Sequence, residues 1–169
     1  MGVEEQRVRG SWLVLALLAL ALPPAAGAVD GDAILGVWVT APEEDGTAHI
    51  EFERQGDRYR GRIVWLAQPN VPAGDRGGRG GKPKTDHENP DPALRDRPIL
   101  GLPIASGFRY AGNAEWKQGR IYDPESGNTY GCQMKLLPDG RLRVRGYLGI
   151  SLLGRSTIWT RLVDDAGSR

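Results

Sequence analysis

Residues 49–66 read HIEFERQGDRYRGRIVWL and decide the fold class of the chain. Two runs of alternating apolar and polar residues flank the turn sequence QGD at residues 55–57. In the second run, Tyr59, Ile63 and Trp65 share one side of an extended chain, and three arginines share the other. Such alternation is typical of antiparallel strands that bury one face and expose the other. The stretch therefore predicts a β-hairpin with an apolar inner face.

The same short alternating pattern recurs along most of the remaining chain, between turn residues such as Gly, Pro, Asn and Asp. It predicts an all-β, antiparallel domain of about eight strands. Such strands can close into a barrel without exposed edges, and two packed sheets are the alternative. The interior of a barrel of ~8 strands holds either its own side chains or one small ligand. The predicted strands cover residues 35–40, 49–54, 58–66, 102–110, 115–122, 129–137, 141–148 and 155–162.

Residues 68–98 form one long loop without a strand pattern, rich in Gly, Pro, Asp and Arg. Loops longer than ~15 residues are usually functional lids or disordered segments. The first half, around the glycine-rich residues 73–81, is predicted to be flexible. The second half, residues 89–95, is predicted to be ordered, because Asp91 can cap a short helical turn that starts at Pro92. We expect this half to fold over one mouth of the barrel.

Residues 1–28 are predicted to be a cleaved secretory signal peptide. The uncharged apolar run at residues 12–22 follows two arginines and is too short to span a bilayer, which needs ~20 residues. Ala26 and Ala28 place small residues at the two positions that a signal peptidase reads. Cleavage after Ala28 leaves residues 29–169 as a single exported domain with no second apolar run that could cross a membrane. An uncleaved N-terminal anchor is the alternative.

The charge balance and the cysteine content exclude several classes of protein. The chain has 22 basic and 21 acidic residues and a net charge of +1 at pH 7, which excludes strong electrostatic attraction to nucleic acid. Cys132 is the only cysteine, so it cannot form an internal disulfide. It shares one side of its strand with Tyr130 and Met134, and is therefore predicted to be a buried core residue.

Familiar catalytic and metal-binding patterns are missing from the sequence. His87 lies between Asp86 and Glu88, and consecutive residues of an extended chain point to opposite sides, so they do not predict a metal site. Ser151 is not in a Gly-x-Ser-x-Gly sequence, and residues 81–83 (GKP) lack the other features of a P-loop. We therefore predict no catalytic residue, metal or cofactor. An enzyme that uses Asp and Arg side chains at the barrel mouth is the least favoured class.

Two arginines are candidates for ligand binding. Arg97 precedes a proline at the end of the long loop, and Arg145 lies on a predicted strand. A guanidinium group near a barrel mouth can bind a ligand carboxylate or phosphate through two hydrogen bonds. The alternative is a structural pair with Asp91, Asp96 or a loop carbonyl.

Several longer segments, in the same order, resemble the DUF2147 family of small exported bacterial proteins. They are RIVW at residues 62–65, GKPKTD at 81–86, NPDPALRDRPILG at 89–101, GRIYDP at 119–124, and the segment at 145–161. The resemblance covers nearly all of the chain after residue 28 and implies a lipocalin-like, calycin-type β-barrel in the bacterial periplasm, or secreted. It implies no ligand, activity or catalytic residue. Compared with the family pattern, residues 76–80 resemble a short insertion that lengthens the loop locally.

Gly36 and Trp38 on the first predicted strand also resemble the Gly-x-Trp motif of lipocalins. In that motif, the tryptophan closes one end of the barrel and an arginine from the last strand packs over its ring. The resemblance implies this role for Arg161 or Arg155, as a cation–π contact.

Two functional hypotheses remain beside the least favoured enzyme. In the first, the barrel binds a small apolar or amphipathic, lipid-like molecule. In the second, the barrel is filled, and the protein serves as a structural or protein-interaction module of the cell envelope. The long loop and the apolar residues 148–153 would then form the contact surface, unless the latter are buried beneath the loop. The predicted ligand-lining residues of the first hypothesis are Tyr59, Ile63, Trp65, Tyr130, Met134 and Val144.

Overall fold

The computed structural model describes residues 29–42, 46–75, 77–148 and 154–163. Within these ranges, eight antiparallel strands close into one barrel, and each strand pairs with its neighbours in the chain. The first and last strands pair at Trp38 and Arg161, which completes the wall. The predicted all-β barrel is confirmed, and two separate sheets are excluded. The strands are β1 (Gly36–Val39), β2 (Ala48–Gln55), β3 (Arg58–Leu66), β4 (Pro103–Tyr110), β5 (Glu115–Asp123), β6 (Asn128–Leu136), β7 (Leu142–Tyr147) and β8 (Gly154–Arg161).

Inward-facing side chains pack the barrel around three large aromatic rings. Trp38, Phe108 and Trp116 are completely buried. Gly119 makes room for Phe108, because a Cβ at this position would lie 2.2 Å from two atoms of the ring. Cys132 is also completely buried, as predicted, and burial raises the pKa of its thiol to about 12. Burying a large apolar side chain stabilises a fold by about 1.5–3 kcal/mol relative to leaving it exposed.

A short 3-10 helix (Gly31–Ile34), here called the plug helix, closes one end of the barrel. The indole N–H groups of Trp38 on β1 and Trp116 on β5 donate to its backbone carbonyls at 2.8 and 3.0 Å. The hydroxyl of Tyr59 on β3 donates to the carboxylate of Asp32 in this helix at 2.8 Å. Because three strands supply these donors, the plug helix ties together parts of the wall that are distant in sequence. We call the opposite end of the barrel the mouth.

The long loop joins β3 to β4 at the mouth end and packs against the outside of the wall. Its second half contains a 3-10 turn (Pro92–Leu94) that Asp91 caps, as predicted. Its backbone reaches the β5–β6 turn, where a Cβ on Gly127 would lie 2.0 Å from the carbonyl oxygen of Glu88. Tyr122, which contacts the loop, lies on the outer face of β5 because it alternates with inward-facing neighbours. The loop is therefore fastened beside the mouth. The sequence had predicted that its second half folds over the mouth.

Two sequence predictions fall on other parts of the chain. The predicted signal peptide at residues 1–28 lies outside the described residues, and so do residues 149–153 of the apolar loop. Leu148, at the start of that loop, is exposed. In the described part of the chain, no helix is long and apolar enough to cross a membrane.

Candidate functional site

Four of the six predicted ligand-lining residues belong to the packed core. Ile63, Met134 and Val144 are at most 3% exposed and contact other core residues. Tyr59 is also buried, and its hydroxyl is occupied by the plug helix. Burial and the hydrogen bond to Asp32 raise the pKa of Tyr59 to about 12. These side chains therefore fill the part of the barrel that they were predicted to line.

Trp65 points out of the barrel, so its prediction as a lining residue is wrong. Ile50 pairs with Ile63, and the preceding His49 pairs with Trp65, which leaves Val64 as an extra residue in β3. Such a β-bulge reverses the faces of the residues that follow it. Trp65 is 45% exposed and stacks on the ring of His49, with 4.4 Å between ring centres.

Inward-facing side chains are less completely buried toward the mouth. Ile121 and Tyr130 face each other across β5 and β6, and both are half-buried. Gly146 on β7 lies beside them without a side chain, and a Cβ there would lie 3.8 Å from Tyr130 and 3.9 Å from Ile121. Arg155 on β8 faces Gly146 and is exposed. We call Ile121, Tyr130, Gly146 and Arg155 the mouth site.

The two arginines predicted to close the barrel lie at opposite ends of β8. The guanidinium carbon of Arg161 lies 4.4 Å from the centre of the Trp38 ring, and its Nη1 donates to the carbonyl of Leu35 at 2.7 Å. Burial lowers the pKa of this guanidinium. Gly36 of the same motif has a φ of +103°, which favours glycine. The closing role predicted for Arg155 is wrong, because β8 reaches Trp38 only at Arg161 and Arg155 lies near the mouth.

A hydrogen-bonded cluster around Asp86 fastens the long loop to the wall. The side chain of Asp86 is completely buried and accepts from Nε and Nη2 of Arg97 at 2.8 and 2.7 Å. The hydroxyl of Tyr122 donates to Oδ1 at 2.5 Å, and the amide of Asn89 donates to Oδ2, the oxygen that Arg97 contacts, at 2.7 Å. We call Asp86, Asn89, Arg97 and Tyr122 the loop latch.

The loop latch is a structural cluster whose charges compensate each other. Burial alone would raise the pKa of Asp86, but hydrogen bonds from the three other latch residues outweigh burial and hold this pKa below its usual range. Burial and the neighbouring carboxylate raise the pKa of Tyr122 to about 12. Arg97 thus forms a structural ion pair, which was the alternative drawn from the sequence. Its partner is Asp86, and neither Asp91 nor Asp96. The prediction that Arg97 binds a ligand is wrong, because Nε and Nη2 of its guanidinium group already bind the buried carboxylate of Asp86.

Two concave sites lie on the outside of the barrel. The larger has a volume of about 410 Å³ and spans β5 to β8; it includes Arg145, whose Nη1 donates to Ser156 Oγ at 3.4 Å. The smaller, about 310 Å³, lies between the long loop and the β5–β6 turn. Arg145 therefore belongs to the outer face and not to an interior site. In the described ranges, no group of three or more His, Cys, Asp or Glu side chains could hold a metal ion.

The fold has a relative among solved structures. A structure described as "Protein HP1028 from the human pathogen Helicobacter pylori belongs to the lipocalin family" matches with a TM-score of 0.66 and 23% sequence identity. The match covers 78% of this chain and 84% of that chain. No curated protein matches. The model of the family described as "Uncharacterized protein conserved in bacteria (DUF2147)" matches residues 36–161, from the start of β1 to the end of β8. The chain therefore belongs to the DUF2147 family and has a lipocalin-like fold.

Proposed function

We propose that this protein is an exported binding module that holds one small apolar or amphipathic molecule at the mouth site. The supporting observation is the unequal burial of the inward-facing side chains at the two ends of the barrel. Trp38, Phe108 and Trp116 are completely buried, whereas Ile121 and Tyr130, nearer the mouth, are half-buried. Apolar walls with a few placed polar groups are typical of small-molecule sites.

The chemistry of the mouth site favours a short amphipathic ligand. Ile121 and Tyr130 offer apolar surface beside the bare backbone of Gly146. Arg155 faces the same glycine from β8, and its guanidinium can bind a carboxylate or phosphate head group through two hydrogen bonds. A long tail would need the space that the aromatic core side chains occupy. We therefore expect a lipid-like molecule with a short apolar part and an acidic head.

We assign no catalytic step to this site. In the described part of the chain, the completely buried carboxylate of Asp86 is already engaged by Arg97, Tyr122 and Asn89. Both of its oxygens are therefore engaged by residues of the protein itself. The role that fits this arrangement is binding, and Asp86 acts in it by holding the loop.

The test is native mass spectrometry of the mature protein from its own compartment, with organic extraction of the same sample. We expect one extra mass per chain that extracts as an amphipathic molecule. Gly146→Leu places a side chain in the mouth site and should remove this mass. Thr129→Leu adds apolar volume at an exposed position of β6 and is the matched control, which should retain the mass.

A bare protein mass, with no rise in melting temperature across a panel of fatty acids and lysophospholipids, would contradict the proposal. It would favour the second hypothesis, a filled barrel that binds a protein partner. Equal loss of the mass in both variants would also contradict it, because the ligand would then not lie at Gly146.

A further inference from the structure

Two hairpins differ in the charges that face each other across their outer surfaces. On β6–β7, Lys135 lies directly opposite Arg143. Like charges in this position destabilise a sheet, whereas opposite charges stabilise it. On β2–β3, each of two outward arginines faces a glutamate and pairs with it at 2.7 or 2.6 Å: Arg60 with Glu53, and Arg62 with Glu51. The same chain thus places a glutamate opposite each of these two arginines, but a lysine opposite Arg143.

These juxtaposed cations line the larger outer groove, whose polar side chains form two rows across the sheet. Neighbouring strands are ~5 Å apart and alternate residues of one strand ~7 Å apart, so the two rows enclose an area the size of a small molecule. The volume of about 410 Å³ lies within the range of roughly 300–1,000 Å³ for ligand pockets. The first row is Glu115, Lys135 and Arg143, and the second is Gln133, Arg145 and Ser156.

The groove concentrates positive charge in a protein that is nearly neutral. Its lining has four cations and one carboxylate, a formal charge of +3, against +1 for the whole chain. Glu115 forms salt bridges with both Lys117 and Lys135, at 2.6 and 3.0 Å, so one carboxylate is shared between two lysines. Local arrangements that cost stability are expected at functional sites. The charge pattern therefore calls for an anionic occupant.

We infer that this groove binds a small molecule that carries a phosphate group and several hydroxyls, of which a sugar phosphate is the simplest case. Arg143 and Arg145 are two residues apart on β7 and offer guanidinium forks that match phosphate geometry. Gln133 and Ser156 can donate to or accept from hydroxyls, and Glu115 can accept from them. The concave shape favours a discrete molecule over a flat membrane surface.

This site is independent of the proposed ligand at the mouth. The side chains of β6 and β7 alternate, so Arg143, Arg145 and Gln133 lie outside the wall whose inner face carries Tyr130 and Gly146. Loss of one ligand therefore leaves the other site intact, and the two proposals fail separately.

The test is calorimetric titration of the mature protein with glucose 6-phosphate, at low and at moderate salt. We expect binding that weakens as salt is added, and that is absent with glucose. The double variant Arg143→Gln, Arg145→Gln should weaken binding by about tenfold or more, since each removes a charge-assisted hydrogen bond. The control, Arg60→Gln with Arg62→Gln, removes the same net charge from the opposite side and should bind like the wild type. Thermal melting verifies that each variant is folded, and Arg143→Gln alone replaces the double variant if the latter is unfolded.

Four results would contradict the inference. No heat of binding with glucose 6-phosphate would exclude the ligand class. Equal weakening in the control variant would mean that net charge, and not the groove, attracts the anion. Binding to phosphatidylglycerol-containing vesicles without binding to glucose 6-phosphate would replace the discrete ligand by a membrane surface. Inorganic phosphate that binds as tightly as glucose 6-phosphate would remove the role of the hydroxyl-binding residues.

Discussion

Trp38 connects the plug helix, β1 and β8 through a single side chain. It is completely buried, donates to the carbonyl of Ile34, and lies under the guanidinium of Arg161. We expect Trp38→Ala to lower the free energy of unfolding by about 3–5 kcal/mol, because it leaves a cavity and an unsatisfied carbonyl. Urea denaturation measures this change. Trp65→Ala is the matched control and should cost about 1 kcal/mol or less, since Trp65 lies on the outer face; similar losses in both variants would contradict the core position of Trp38.

Asp86 makes the loop latch sensitive to acid. Its pKa is lower in the folded protein than the ~3.9 of an unfolded chain. Its contribution to stability is therefore present above pH ~3.9 and is lost as the pH falls through the folded value. Asp86→Asn should lower the free energy of unfolding at pH 7 by about 2 kcal/mol. The difference from the wild type should shrink in acid.

Urea denaturation at pH 7 and at a pH below ~3.9 checks this pH dependence. Asp96→Asn, which changes an exposed carboxylate of the same loop, is the control and should have little effect at either pH. A difference between wild type and Asp86→Asn that stays constant or grows toward acid would mean that the carboxylate is not the stabilising form.

The strands could be predicted from the sequence because alternation is a local property. The β-bulge in β3 left a local signal as well. Ile63, Val64 and Trp65 are three consecutive apolar residues, and alternation cannot assign the faces of such a run. The bulge itself depends on pairing with β2, which no single strand reveals. The loop latch was missed for the same reason, since Tyr122 lies 36 residues after Asp86 and only the folded chain brings them together.

The mouth site could be predicted only in part. Tyr130 follows from the alternation of its own strand, and the pairing with Ile121 follows from the register between β5 and β6. That register shifts between Trp116 and Gly119. Counting residues back from the β5–β6 turn would therefore assign the wrong face to residues of β5 that precede the shift. Gly146 carries no side chain and gives no apolar signal at all.

The first half of the long loop is a separate hairpin-like element. The backbone of Val71 donates to the carbonyl of Lys82 and accepts from Gly81, both at 2.9 Å. Residues 73–75 and 77–80 lie beyond these bonds, at the tip. Deletion of residues 73–80 would join Pro72 to Gly81 in a short turn and leave the bond from the N–H of Val71 to the carbonyl of Lys82 possible.

We therefore expect a chain without residues 73–80 to unfold cooperatively, with a melting temperature within about 4 °C of the wild type, the shift that ~1 kcal/mol causes in a domain of this size. Circular dichroism during heating measures it. Deletion of residues 89–95 removes Asn89 from the loop latch and should lower the melting temperature much further. A non-cooperative transition in the first deletion would show that the tip supports the fold.

At the scale of the whole molecule, the two ends of the barrel differ in chemistry. One end is closed by the plug helix and by indole, phenol and guanidinium donors that are all used inside the protein. The mouth end has half-buried apolar side chains and an exposed arginine on its inner face. A closed, hydrogen-bonded end gives a rigid frame, so the side chains at the mouth can vary without changing the fold.

The plug helix also constrains where a chain that is cleaved near its N-terminus can begin. The hydroxyl of Tyr110 donates to the carbonyl of Val29, and the carboxylate of Asp30 caps the plug helix by accepting from the N–H of Asp32. Cleavage after Ala28 preserves both contacts, whereas a start beyond Gly31 would remove the acceptor of the Trp116 indole. We expect protein recovered from its own compartment to begin at Val29, as determined by N-terminal sequencing or intact mass. A chain that retains residues 1–28 would refute export by a cleaved signal peptide, and a start after Gly31 would show that the barrel closes without its plug.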